Sequence, residues 1–129
     1  VFTGDLIDTN YPLNNNEQEQ IIKELKKIKS TLGKYAILGE EDKENFNTIM
    51  NASDFIILKN EYDLIYKDNN NPILLIGLNN NSKDTASIEN SFNYFNTENH
   101  NPNIFSITLT HEPDTVDLID KTKTQLIFF

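Results

Sequence analysis

Apolar residues in this chain form several short runs and one regular stripe at helical spacing. The stripe runs through residues 17–32 and predicts an amphipathic helix with a single apolar face. Asn16 is placed to cap this helix and Gly33 to end it. The helix is the most regular element that the pattern predicts. Its apolar residues are Ile21, Ile22, Leu25, Ile28 and Leu32.

Apolar runs on both sides of this helix predict strands. Residues 1–7 hardly alternate between apolar and polar, which is typical of a central strand that is buried on both faces. Residues 35–38 predict the next strand. Because a helix separates the two, the opening of the chain predicts a βαβ crossover with a parallel strand pair.

The rest of the chain continues this alternation. Helices are predicted over residues 42–51, over residues 82–95 with Ser82 as the cap, and over residues 113–121. Strands are predicted at residues 55–58, 62–66, 73–78, 104–109 and 126–129. The fold class that follows is α/β, with mixed sheets flanked by helices. The residues expected to face inward from the three helices are Phe46, Ile49, Met50, Ile88, Phe92, Phe95, Val116, Ile119 and Leu118.

The 129 residues fit one domain, which we take as residues 1–129. The chain begins and ends within predicted strands, so we expect it to be an excised, incomplete piece of a longer protein. The sequence does not indicate the location of that protein in the cell. There is no apolar run long enough to span a membrane.

Composition excludes several kinds of chemistry. Cysteine is absent, which excludes disulfides, thiolate metal sites and a cysteine nucleophile. The net charge is −9 and arginine is absent, so we expect no nucleic-acid partner. A phosphate group would find no guanidinium clamp and would need bound metal ions to offset the carboxylates.

Three strand-like runs end in turns that carry carboxylate or imidazole groups. They are Gly4-Asp5-Leu6-Ile7-Asp8, Gly39-Glu40-Glu41-Asp42 and Thr110-His111-Glu112-Pro113-Asp114. Carboxylate oxygens and imidazole nitrogens are common metal ligands, and loops at the carboxyl ends of strands are where α/β proteins place them. The three segments together predict a metal-centred site.

Each segment also has a purely structural interpretation. Asp5 and Asp8 can be solvated carboxylates of a turn, and the three acids after Gly39 can be the first turn of a helix. His111 can be a hydrogen-bonded structural residue, and His100 is expected on the solvated surface.

Taken in order, the three segments resemble motifs of the calcineurin-like metallophosphoesterase superfamily. Gly4-Asp5-Leu6-Ile7-Asp8 matches its Gly-Asp-x-x-Asp motif in full. Tyr35-Ala36-Ile37-Leu38-Gly39 is similar to the lead-in to its Gly-Asn-His-Asp/Glu motif. Thr110-His111-Glu112-Pro113-Asp114 is similar to its histidine-bearing motif, above all in single-domain bacterial phosphodiesterases. The resemblance covers nearly the whole chain and implies part of an α/β/β/α sandwich.

The resemblance also implies a function. Asp5 would bridge two divalent metal ions (Mn, Fe, Zn or Mg) and His111 would ligate one of them. The family hydrolyses phosphomonoesters or phosphodiesters with a metal-bound hydroxide. The substrate would be a small phosphoester or a lipid-linked one.

The chain departs from the family pattern at its third motif. Glu40 stands where the family has a metal-binding Asn, and Glu41 stands where it has the His that assists the leaving group; only Asp42 matches. Glu40 can still ligate through oxygen, whereas an ionised Glu41 would repel a departing oxyanion. The first and last motifs of the family are not in the chain, so we expect this piece to be inactive. Two alternatives stay open for the metal ions: this piece binds them by itself, or it needs the missing motifs to do so.

Three hypotheses follow. The chain belongs to a metal-dependent phosphoesterase, to a degenerate relative used for binding or regulation, or to an interaction domain with solvated acidic turns. Restoring Asn and His at positions 40 and 41 in the longer protein separates the first two, and metal binding, by this chain or by the longer protein, separates both from the third.

Overall fold

The computed structural model describes residues 1–8, 10–42, 44–68, 71–79 and 85–129. Its first half holds a small parallel sheet in which β1 (Lys34–Ala36) pairs with β2 (Phe55–Ile57). Helix α1 (Asn15–Lys26) precedes β1, and helix α2 (Glu44–Ala52) connects β1 to β2. The mixed α/β fold predicted from the sequence is confirmed.

The predicted strand over residues 1–7 is reduced to one bridge. Phe2 bridges Ala36 in the parallel sense, with its N–H donating to the Tyr35 carbonyl and its own carbonyl accepting from Ile37. The segment lies at the edge of the pair β1–β2, so its expected central position is wrong. Its extended conformation ends early because Gly4 and Asp5 both take positive φ angles, of 102° and 59°. The parallel βαβ relation itself is confirmed.

Helix α1 is shorter than the apolar stripe predicts. Asn14, two residues before the predicted cap, forms a capping box with Glu17, in which each side chain accepts from the other residue's N–H. The helix ends at Lys26, so Ile28 and Leu32 lie outside it and are exposed. Periodicity alone therefore extended the predicted helix too far.

The second half of the chain forms a four-stranded sheet in the order β3–β4–β5–β6. Strand β3 (Glu61–Ile65) runs antiparallel to β4 (Ile73–Gly77), and β5 (Phe105–Leu109) and β6 (Leu126–Phe128) follow in parallel. The helix predicted over residues 82–95 is α3 (Thr85–Ser91) followed by a 3₁₀ helix (Asn93–Asn96). Its predicted cap, Ser82, lies outside the described residues.

The helix predicted over residues 113–121 is a 3₁₀ helix, Pro113–Leu118. Ile119 is buried as expected, whereas Leu118 is exposed. His100 is not purely a surface residue, because its ring packs edge-on against Tyr94 and Phe95. Among the described residues no helix is long and apolar enough to cross a membrane.

Three apolar clusters show how the layers stack. One lies between α2 and the outer face of β1–β2 and includes Phe46 and Met50. A second joins the two sheets face to face through residues such as Ile37 and Leu75. A third lies between the four-stranded sheet and α3 and includes Ile88. The described residues are therefore arranged as helix, sheet, sheet and helix layers. The second cluster also contains Leu109, the last residue of β5, so the carboxyl ends of β1 and β5 lie near one another.

Candidate metal centre

Three loops meet beyond the ends of the Phe2 bridge, β1 and β5. His111, which follows β5, reaches the first loop through a hydrogen bond between its Nδ1 and the Thr3 carbonyl at 2.9 Å. Asp42, in the loop after β1, reaches the same loop through the backbone of Asp5 and Leu6. The structure thus brings Asp5, Asp42 and His111 together, as the order of the sequence motifs predicts.

Asp5 occupies the middle of this cluster. Its Oδ2 lies 3.3 Å from His111 Nε2, and its Oδ1 accepts a 2.9 Å hydrogen bond from the Glu41 N–H. The Asp5 side chain is 40% exposed and that of His111 is 22% exposed. The Asp5–His111 pair therefore sits at the surface of the protein, open to an ion or a small ligand.

The hydrogen bond to Thr3 orients the His111 ring. A carbonyl oxygen can only accept, so Nδ1 carries the proton and the lone pair of the neutral ring is on Nε2. That nitrogen is the one that faces Asp5. Metal-ligating histidines commonly donate their second ring N–H to a carbonyl or carboxylate in this way. The ring is accordingly held with its ligating nitrogen beside a carboxylate oxygen.

Asp42 has a different environment. Its Oδ2 accepts from the N–H groups of Asp5 and Gly39, both at 2.8 Å, and its Oδ1 accepts from the N–H of Leu6 at 2.9 Å. Both carboxylate oxygens are thus engaged with main-chain donors. This arrangement is typical of a carboxylate that holds two loops together, and less so of one that binds a metal ion.

Two glycines allow the loops to approach closely. A Cβ atom on Gly39 would overlap the backbone nitrogen and carboxylate of Asp5. A Cβ atom on Gly4 would overlap the backbone of Gly39 and crowd His111 Nδ1. The glycines of both motifs are therefore needed for the contact between the first loop and the loop after β1.

The other predicted site residues lie around this cluster. Glu40 is exposed, and Glu41 is half-buried and contributes its backbone N–H to Asp5. Asp8 accepts from the backbone and side chain of Asn10 and lines a neighbouring cleft of about 220 Å³. Asp8 lines the same cleft as Glu41 and Asp42, and its carboxylate accepts the hydrogen bonds of a local turn.

The cleft combines apolar walls with acidic groups. Ile7, Pro12 and Phe46 form part of its lining, and the carboxyl-bearing residues Asp8, Glu41 and Asp42 form another part. A bare phosphate would be repelled by these carboxylates, so anion binding here would depend on an added positive charge.

The donor set fits a divalent cation in part. An imidazole nitrogen and a carboxylate oxygen 3.3 Å apart can both reach one ion, and both are acceptable ligands for Mn²⁺, Fe²⁺ or Zn²⁺. Within the described ranges, no group of three or more His, Asp or Glu side chains is arranged to hold a metal ion. Asp5 and His111 thus form a pair of donors, and the ion would need further ligands.

Sequence reasoning missed two groups in this site. The Thr3 carbonyl orients His111, and the Glu41 N–H binds Asp5. Both are main-chain groups, which every residue carries, so no residue type in the sequence signals them.

Comparison with known proteins gives no match: no family model, no curated protein and no solved structure is similar enough to this chain to identify a family. The resemblance to metallophosphoesterases therefore rests on the motifs quoted above. It remains a prediction about fold family and activity.

Proposed function

We propose that this chain contributes to a divalent-metal site of the metal-dependent phosphoesterase type, with Asp5 and His111 as the ligands that it supplies. The observation that carries the proposal is the 3.3 Å approach of Asp5 Oδ2 to His111 Nε2. The hydrogen bond from His111 Nδ1 to Thr3 supports it, because this bond leaves Nε2 available as a ligand.

A divalent ion held there would act as a Lewis acid toward a phosphoryl oxygen and would favour ionisation of water. The chain's own residues would do the remaining work. Asp5 and His111 would hold the ion, the Thr3 carbonyl would keep the ring in its ligating tautomer, and the cleft beside Asp8 would accommodate an apolar part of a phosphoester or lipid-linked substrate.

A second candidate is a non-catalytic, phosphoesterase-like domain that binds a metal ion or a partner. The residues after Gly39 favour it, because Glu40 and Glu41 replace the Asn and His expected from the family. Glu41 lines the cleft, so it adds a carboxylate that would repel a leaving oxyanion formed there.

Calorimetric titration with Mn²⁺ tests the metal site that both candidates share. We expect the chain to bind Mn²⁺, and Asp5→Ala and His111→Ala each to weaken binding by about 10-fold or more. Asp117→Ala is the matched control, because Asp117 is a highly exposed carboxylate that forms a surface salt bridge with Lys121. Equal binding by all four proteins would contradict the proposal.

Hydrolysis of bis-p-nitrophenyl phosphate with added Mn²⁺ tests whether this chain is catalytic by itself. We expect no significant turnover by this chain, because Asp5 and His111 supply two ligands, whereas a typical catalytic zinc site has three protein ligands. Turnover that requires Mn²⁺ and is lost in Asp5→Ala would favour the catalytic candidate and overturn this expectation.

A further inference from the structure

One carboxylate joins the two loops that carry the glycine motifs. Asp42 Oδ2 accepts from the N–H groups of Asp5 and Gly39, and Asp42 Oδ1 accepts from the N–H of Leu6. Two of these donors lie 36 and 37 residues away along the chain. Hydrogen bonds to an ionised acceptor are about twice as strong as neutral ones, so this contact fixes the relative position of the loops.

The contact matters because Asp5 has a strained backbone. Its φ angle is 59°, in the left-handed region that non-glycine residues adopt rarely and at an energetic cost. The Asp5 N–H and the next N–H, that of Leu6, both point to Asp42. In this conformation Asp5 Oδ2 lies beside His111 Nε2 and Asp5 Oδ1 meets the Glu41 N–H.

We propose that Asp42 is the positioning residue of this site. It does not ligate an ion itself; its carboxylate holds Asp5 in the left-handed conformation that brings Asp5 Oδ2 to His111 Nε2. The part of this inference that concerns metal affinity rests on the proposed function, whereas the part that concerns the Asp5 backbone does not.

The geometry makes Asp42 difficult to replace. An Asn side chain has one acceptor oxygen instead of two. Its NH₂ group would replace the other carboxylate oxygen and would face a backbone N–H, so two donors would oppose each other. A Glu side chain keeps the charge but moves both oxygens by one methylene group. Asp42→Asn therefore removes the negative charge and one acceptor. Asp42→Glu keeps both and changes only the position of the carboxylate oxygens relative to the three N–H groups.

Amide NMR of the ¹⁵N-labelled chain tests the backbone part. In the wild-type protein we expect the amides of Asp5, Leu6 and Gly39 to be protected from hydrogen exchange. In Asp42→Asn and Asp42→Glu we expect that protection to fall by about 10-fold or more, together with a shift of the His111 ring nitrogen signals. Asp117→Asn, an exposed carboxylate with the same charge change, should alter none of them.

Mn²⁺ titration of the same four proteins tests the metal part. We expect both Asp42 variants to bind about 10- to 100-fold more weakly than wild type, the range typical of groups that orient metal ligands. Asp117→Asn should bind as wild type does. Wild-type affinity in both Asp42 variants, at full folding by circular dichroism, would overturn the positioning role.

The two proposals fail in distinguishable ways. If the wild-type chain binds no Mn²⁺ while the Asp42 variants release the Asp5 and Leu6 amides and shift the His111 ring signals, the proposed function fails and the positioning role stands. If the wild-type amides of Asp5, Leu6 and Gly39 exchange freely, the positioning role fails whatever the metal titration gives. This last measurement needs no variant, so it decides the question even if Asp42→Asn does not fold.

Discussion

Tyr35 on the small sheet donates its hydroxyl hydrogen to Asp63 on the four-stranded sheet, with 2.8 Å between Oη and Oδ2. Tyr35 is 6% exposed and belongs to the apolar cluster between the two sheets. Burial, and then the hydrogen bond and negative charge of Asp63, raise the pKa of Tyr35 to about 12. The bond between the sheets therefore depends on the protonated form of this phenol.

This relation predicts a loss of stability at alkaline pH. The ordinary pKa of a tyrosine phenol is 10.0, whereas that of Tyr35 in the folded protein is about 12, so folding favours the protonated form. Its contribution is complete below pH 10 and is lost as the pH rises through 12. We expect the free energy of unfolding, measured with urea, to fall over this interval in the wild-type protein and to fall less in Tyr35→Phe.

Below pH 10, Tyr35→Phe should lower the free energy of unfolding by about 1–2 kcal/mol, because Asp63 loses the partner of a charged hydrogen bond. Tyr66→Phe is the matched control, since Tyr66 is 58% exposed. The same alkaline slope in Tyr35→Phe as in wild type would show that other groups cause the loss.

The contacts of the Lys34 side chain lead to a second prediction about stability. Its ammonium group donates to the Ser53 carbonyl just beyond α2 and lies 5.0 Å from the centre of the Phe55 ring. A cation is favourable at the carboxyl end of a helix and over an aromatic face. Because the side chain is only 11% exposed, we expect Lys34→Met to lower the thermal midpoint and to cost about 1–2 kcal/mol.

Lys121→Met provides the comparison for Lys34→Met. Lys121 is 65% exposed and pairs with Asp117 at 3.5 Å on the surface, an arrangement that contributes little. Its thermal midpoint should stay near that of wild type. If both variants lose the same stability, the contacts of Lys34 with Ser53 and Phe55 are not what stabilises the protein.

Much of the fold could be predicted from the apolar pattern. Most strands and helices lie within a few residues of their predicted positions, because a buried run of apolar residues such as Leu74–Ile76 leaves few alternatives. The errors have a common cause. The pattern cannot show that the chain turns at Gly4 and Asp5, or that Ile28 stays exposed after α1 has ended.

The candidate site was predictable only in part. The order of the motifs indicated that Asp5 and His111 lie at neighbouring strand ends, and the structure brings them together. The sequence could not distinguish a carboxylate that binds an ion from one that binds amides. That difference depends on the three N–H groups around Asp42, which come from two loops far apart along the chain.

The close approach of Gly39 to Asp5 leads to a prediction about Mn²⁺ binding at the site. A Cβ atom there would overlap Asp5, so we expect Gly39→Ala to push the loops apart and to weaken both folding stability and Mn²⁺ binding. Gly33→Ala is the control: Gly33 has a φ of 107°, so an Ala there would be strained, but its Cβ would meet Tyr35, outside the loops that carry Asp5 and His111. It should lower stability by about 1 kcal/mol or more without changing Mn²⁺ affinity. Equal losses of affinity in both variants would mean that general destabilisation explains the result.

The pair Glu40 and Glu41 gives the prediction that bears most directly on catalysis. Glu40 is exposed, and Glu41 reaches Asp5 through its backbone N–H, which a substitution retains. The variant Glu40→Asn with Glu41→His should therefore fold and keep the Asp5 contact. It replaces two groups that repel a leaving oxyanion by an amide and an imidazole that can assist it.

If the chain descends from the catalytic pattern, we expect this double variant to raise Mn²⁺-dependent hydrolysis of bis-p-nitrophenyl phosphate by about 100-fold over wild type, the lower limit of general acid catalysis. Glu40→Gln with Glu41→Gln removes the same charges without adding an imidazole. A similar gain in both double variants would show that charge relief alone is responsible. No gain in either, with Mn²⁺ binding intact, would show that the residues at positions 40 and 41 are not what limits hydrolysis by this chain.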